Sequence, residues 1–174
     1  MAKTSKKPRA KPKSNPGGVR LFEFEVALIQ GPITPKFARQ NRKVIRTIQI
    51  RGDQTLEELH LAIFKSFDRY DAHMYEFQVG GKRAMDPHAR RYVLPVAMDD
   101  DYSDSKPAGS VVETTIESLG LKKNDVFGYW FDFGDDWWHQ INVEAIDNKV
   151  PNGTFPKVTK KVGKSPPQYP DEDE

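Results

Sequence analysis

The sequence contains no cysteine. That removes disulfides, thiolate zinc sites and cysteine nucleophiles together, and a small secreted scaffold ordinarily relies on the first of these. A reducing, cytoplasmic setting is the expectation. No apolar run approaches the ~18 to 20 residues that span a bilayer. The basic residues near the N-terminus are not followed by the apolar stretch and small-residue site of a secretion signal. Prolines interrupt residues 3–16 before any helical stripe forms, which argues against an amphipathic targeting peptide. The chain also has no phosphate-cradling glycine motif, no Gly-x-Ser-x-Gly elbow and no His-Glu-x-x-His pair. Nucleotide hydrolysis and ordinary serine hydrolysis are demoted accordingly, and no nucleotide cofactor and no membrane partner are expected.

What is present is uneven in charge. The net value of +2 over 174 residues conceals seven Lys or Arg and no acid in residues 1–20, and four acids from Asp171 to Glu174. With both ends set aside, the middle carries a net −1. A near-neutral middle argues against a fold whose whole surface neutralises phosphates. We therefore expect a basic, disordered tail at 1–18, one α+β domain at 19–148, and a Pro- and Lys-rich arm with an acidic end at 149–174. The tail offers a possible accessory contact to DNA, and a solvated solubility tail is its plainer reading.

Order should begin near Val19. Leu21 to Ile29 partly alternates, with Phe22, Phe24, Val26 and Leu28 inward, and Lys43 to Ile50 resumes alternation after the breakers Gly31-Pro32 and Pro35. Thr55-Leu56-Glu57-Glu58 has the form of a capping box and opens a helix whose apolar stripe is Leu56, Leu59, His60, Ile63 and Phe67. His73 to Val79 returns to period two, and His73 shares the inward parity of Tyr75, Phe77 and Val79. Asp86 to Val111 reads as a long polar loop. Thr115 to Leu119 reads as one helical turn ended by Gly120.

Val126 to Ile146 carries the strongest hairpin signal. Phe127, Tyr129, Phe131 and Phe133 are odd-numbered, as are Trp137, His139, Ile141 and Val143, so both sets share a face only if the loop has an odd number of residues. Gly134-Asp135-Asp136 is the natural three-residue loop. Trp130, Asp132, Trp138, Gln140, Asn142 and Glu144 then face outward. The expected fold is a mixed, mainly antiparallel sheet with one main helix packed across it and a β-grasp-like start.

Three blocks carry a resemblance: Thr55 to Ile63, His73 to Phe77, and Tyr129-Trp130-Phe131-Asp132-Phe133-Gly134-Asp135-Asp136-Trp137-Trp138-His139 with Val143-Glu144. Residues ~20–146 resemble the plasmid pRiA ORF-three-like family, named after the third open reading frame of a root-inducing plasmid. Where many relatives have Trp-Arg-Arg near the second strand, this chain has Phe37 to Arg42. The resemblance implies a fold and no established activity. Some members are labelled transposon resolvases, but this sequence has no serine nucleophile in an arginine-rich setting and no helix-turn-helix pattern.

Three readings of chemistry follow from the residues. Trp130 and Trp138, together with hairpin carboxylates, suit a module that binds a protein or nucleic-acid partner. His60, His73 and His139 all fall on inward parity and, with Asp132 or Asp135, form a candidate polar cluster. Imidazole and carboxylate are suitable ligands for a divalent metal, which would serve a hydrolase or nuclease-like enzyme. The plainer reading makes each histidine a hydrogen-bonded boundary residue and each of Asp132, Asp135 and Asp136 a turn former.

Overall fold

In the computed structural model, which describes residues 17–100 and 104–171, Leu21–Gln30 form β1, Pro35–Gln40 α1, Ile45–Arg51 β2 and Leu56–Ser66 α2. Tyr75–Val79 form β3, Arg90–Val93 β4, Gly109–Ser110 β5, Val126–Phe131 β6, Trp137–Asp147 β7 and Lys157–Val162 β8. All eight strands join one sheet in the order β5-β4-β3-β6-β7-β1-β2-β8. Every pairing is antiparallel except β4 with β5. The expectation of a sheet with one main helix and a β-grasp-like start is corrected: the described residues form mostly an eight-stranded mixed sheet with two α-helices.

The unexpected elements have local physical causes. Pro35 was a breaker in the sequence pattern, yet proline is tolerated at the first helical position, where its missing N–H has no partner to lose. Thr34 Oγ1 accepts the Phe37 N–H at 3.2 Å and opens α1 there. The stretch expected to be a loop, Asp86 to Val111, supplies β4 and β5, and the expected arm supplies β8. Both β4 and β8 lack clean alternation because they lie near or at sheet edges, where burial imposes no period. Glu117–Leu119 form the expected single helical turn, and Gly120 ends it at φ 65°.

One face of the sheet carries the core. Phe22, Phe24 and Val26 of β1, Phe77 of β3, Phe127 and Tyr129 of β6, and Trp137 and Ile141 of β7 are all buried there against Leu56, Leu59 and Ile63 of α2. Each fully buried large apolar side chain contributes roughly 1.5 to 3 kcal/mol through removal from water. The helix is fixed at its start by reciprocal bonds. Thr55 Oγ1 accepts from Glu58 N at 3.3 Å, and Glu58 Oε2 accepts from Thr55 N at 2.8 Å.

Arg46 holds inward parity on β2 and is 2 % exposed. Its guanidinium donates to the carbonyls of Ser66, Ile45, Val162 and Gly163 and to Ser165 Oγ, at 2.8 to 3.1 Å. A single side chain thereby ties the end of α2, strand β8 and the start of the C-terminal arm together. A buried guanidinium is tolerated because its donors are used, which is the condition physical chemistry sets on burying charge.

Candidate functional site

The hairpin register determines what its side chains can do. Phe131 pairs with Trp137, Trp130 with Trp138 and Tyr129 with His139, which leaves five residues, Asp132 to Asp136, in the loop. The loop is odd in length, as parity required, but longer than the expected three residues. Asp132 and Asp136 both adopt left-handed backbone, at φ 58° and 56°, and Asp136 N donates to Asp132 O at 2.8 Å. Aspartate tolerates that conformation better than most residues. Phe133, expected inward, is 39 % exposed and lies over Trp130 with ring centres 4.2 Å apart.

His60 and His139 sit in the core but in separate surroundings. The His60 ring stacks on Tyr75 at 3.6 Å and 3°, and its Nδ1 shares a 2.6 Å hydrogen bond with Tyr129 Oη. His139 packs edge-on to Phe67 at 5.0 Å and lies 5.1 Å from the Tyr129 ring, so Tyr129 stands between the two histidines. Burial pushes both imidazoles down to about 3, and Arg69 adds charge repulsion at His139. Both are neutral in the folded chain at ordinary pH. Burial likewise raises the Tyr129 and Tyr75 phenols, so neither is a ready base.

Arg69 lies against this core near His139. Its guanidinium lies 3.7 Å above the Trp137 ring, is 6 % exposed and is lowered to about 10 by burial. Nη1 donates to the carbonyl of Pro166 in the C-terminal arm at 3.2 Å. Asp68 is the carboxylate whose field offsets this charge.

His73 lies elsewhere. It precedes β3 and so escapes the strand's inward parity; its side chain is 34 % exposed at the rim of the sheet. Nε2 is 2.8 Å from Tyr169 Oη, 3.4 Å from Asp132 Oδ2 and 3.6 Å from Asp71 Oδ2. Tyr169 Oη donates to Asp71 Oδ2 at 2.6 Å, which leaves the phenol oxygen to accept the His73 proton. Hydrogen bonding to Asp71 raises the Tyr169 phenol to about 12. The arm reaches this point through Gln168, 2 % exposed, whose amide accepts from Tyr70 N and Asp71 N and donates to Asp71 O.

Parity had placed Asp132 across the sheet from the histidines. The left-handed turn brings it round to His73, while its Oδ1 accepts from Gly134 N and Asp135 N. Asp132 and His73 therefore meet, and His60 and His139 remain with Tyr129 in the interior. Among the described residues, no group of three or more His, Cys, Asp or Glu side chains is placed to hold a metal ion.

Trp130 and Trp138 form a stacked cross-strand pair at 4.7 Å and 8° on the outer face, and Trp130 Nε1 donates to Asp136 Oδ1 at 2.9 Å. Trp138 is 8 % exposed. One face of Trp130 is taken by Trp138 and the other by Phe133, which leaves ring edges rather than faces for a partner. Tyr70, Asp71, Arg69 and Tyr169 are the members of this region that periodicity did not single out. The first three follow α2 in an irregular turn, and the last lies 98 residues along the chain from its partner Asp71.

Residues 33–170 match the family described as plasmid pRiA4b ORF-3-like protein. The chain belongs to this family. The matched span runs from the segment before α1 through Tyr169, so the histidine core, the hairpin and most of the arm fall inside it. No curated protein matches the chain. Among solved structures, a protein of unknown function, MM3350 from Methanosarcina mazei Go1, is similar at 21 % identity with a TM-score of 0.60. That match covers 82 % of this chain and 70 % of the other, and it shows a shared fold. No helix of the described residues is long and apolar enough to cross a membrane.

Proposed function

We propose that this chain is a binding module whose hairpin end receives a cationic, arginine- or lysine-bearing segment of a protein partner. The observation that carries the reading is the composition of the rim. Tyr70 is 73 % exposed, Tyr169 43 % and Phe133 39 %, and around them stand the carboxylates of Asp71, Asp135 and Asp136, with that of Asp132 buried at 6 % exposure beside His73. Among the described residues none of these four carboxylates is paired with a lysine or arginine. Exposed phenol and phenyl rings beside unneutralised carboxylates suit guanidinium and ammonium groups through cation–π and charge-assisted contacts. The rim is also pre-organised: Gln168 and the turn bonds of Asp132 hold it in place, so little ordering is required on binding.

Catalysis by the histidines is less well supported. His60 and His139 are locked into aromatic surroundings, and His73 is engaged by Tyr169. The test is calorimetric titration of the full chain with an arginine-rich peptide and with a glutamate-rich peptide of equal length. Binding of the first alone, weakened about tenfold or more by Asp71→Asn with Asp135→Asn, is the expected result, since exposed ion pairs contribute up to about 1 kcal/mol each. Equal affinity of the double variant, or no binding of the arginine peptide, refutes the reading.

A further inference from the structure

The β8 edge of the sheet, three strands along from β7, has the opposite charge. Strand β8 is the outermost strand beside β2, and Lys157, Lys160 and Lys161 project from it, all exposed. Between β8 and the last turn of α2 runs a groove of about 510 Å³, lined by Ala62, Lys65, Ser66, Pro156, Val158 and the lysines at 157 and 161, with Asp68 its one acid. Lys65 thus faces the same groove from the helix. Asp68 acts on the buried guanidinium groups of Arg46 and Arg69. Among the described residues, none of these four lysines makes a side-chain hydrogen bond or ion pair.

The cations continue past the strand. Lys164 N donates to Asn41 Oδ1, and Gly163 packs on the Lys43 carbonyl, which places Arg42, Lys43 and Lys164 together at the end of β8. Lysines on an open edge strand have a plain explanation: they discourage another strand from pairing there. That explanation covers the lysines of β8. It does not cover Lys65 on the neighbouring helix, the groove it shares with Lys157 and Lys161, or the cations extending beyond the strand.

We propose that this edge, from Lys65 across β8 to Lys43, is a docking surface for the phosphate backbone of a nucleic acid. A row of cations longer than one phosphate suits a polyanion, and the absence of paired carboxylates leaves each ammonium free to displace a counterion. The charges guard the strand edge against a peptide strand, which favours the phosphodiester chain over an acidic peptide. The near-neutral charge of the chain's middle therefore reflects segregation, acids at the hairpin rim and cations at the β8 edge, rather than an absence of basic surface. Contacts of this type position a duplex without reading its sequence.

The experiment is fluorescence anisotropy of a labelled DNA duplex with the full chain across a range of salt. It compares the parent with Lys157→Gln/Lys160→Gln/Lys161→Gln and with a control, Lys122→Gln/Lys123→Gln, outside this edge. The N-terminal basic residues are present in all three proteins and cancel in the comparison. Each lost phosphate contact lowers the slope of log affinity against log salt by about 0.9, so the triple variant should lose roughly two to three units of slope, with at least tenfold weaker binding and an unchanged melting temperature. The control should match the parent. An unchanged slope in the triple variant, no binding by the parent, or binding of a glutamate-rich peptide in place of DNA overturns the proposal.

Discussion

Two neutral histidines inside one small core make stability depend on pH in a defined window. His60 and His139 are both pushed down to about 3 from 6.5. The unfolded chain binds their protons as pH falls through 6.5, whereas the folded chain does not until about 3, so stability is fully present above 6.5 and declines below it. Between pH 7 and pH 5 each histidine should cost about 2 kcal/mol, and the pair about 4 kcal/mol, at 1.36 kcal/mol per pKa unit. Aspartates, whose reference value is 3.8, remain mostly charged through this range. The loss is a large fraction of the ~5 to 15 kcal/mol that holds a typical domain together. Urea unfolding followed by tryptophan fluorescence at pH 7.0 and 5.0 measures it. His139→Phe keeps a ring against Phe67 and Tyr129 while removing one proton site, so the pH-dependent loss should fall by about half. A parent that loses less than about 1 kcal/mol, or a variant that retains the whole loss, would refute the reasoning.

Arg46→Met keeps an unbranched stem beside Phe67 but strips the carbonyls of Ser66, Val162 and Gly163 of their donor. It should destabilise the fold by about 3 to 5 kcal/mol, with amide exchange rising first in β8, as read by calorimetry and hydrogen exchange. Gln168→Ala removes the amide that clasps Tyr70 and Asp71 and should lower stability by about 1 to 3 kcal/mol, measured by urea unfolding. An unchanged midpoint for Gln168→Ala would mean that the arm is held without it.

The sequence by itself determined the pieces whose physics is local. The capping box of Thr55 and Glu58, the apolar stripe of α2, the inward alternation of β1 and the shared face of Tyr129 and His139 all follow from short-range spacing, and each appears in the structure. So does family membership, because the hairpin string is itself distinctive. Tertiary structure decided what spacing does not encode. Strands β4 and β8 are set by pairing with partners already in the sheet rather than by their own periodicity. His73 and Asp132 meet because one precedes its strand and the other turns left-handed after its own, so strand parity governs neither. Tyr169 reaches Asp71, and Lys157 reaches the side of α2 that carries Lys65, only because the chain returns across the sheet after β7. Contacts between residues so far apart along the chain depend on the closed fold, and both proposed surfaces are built from them.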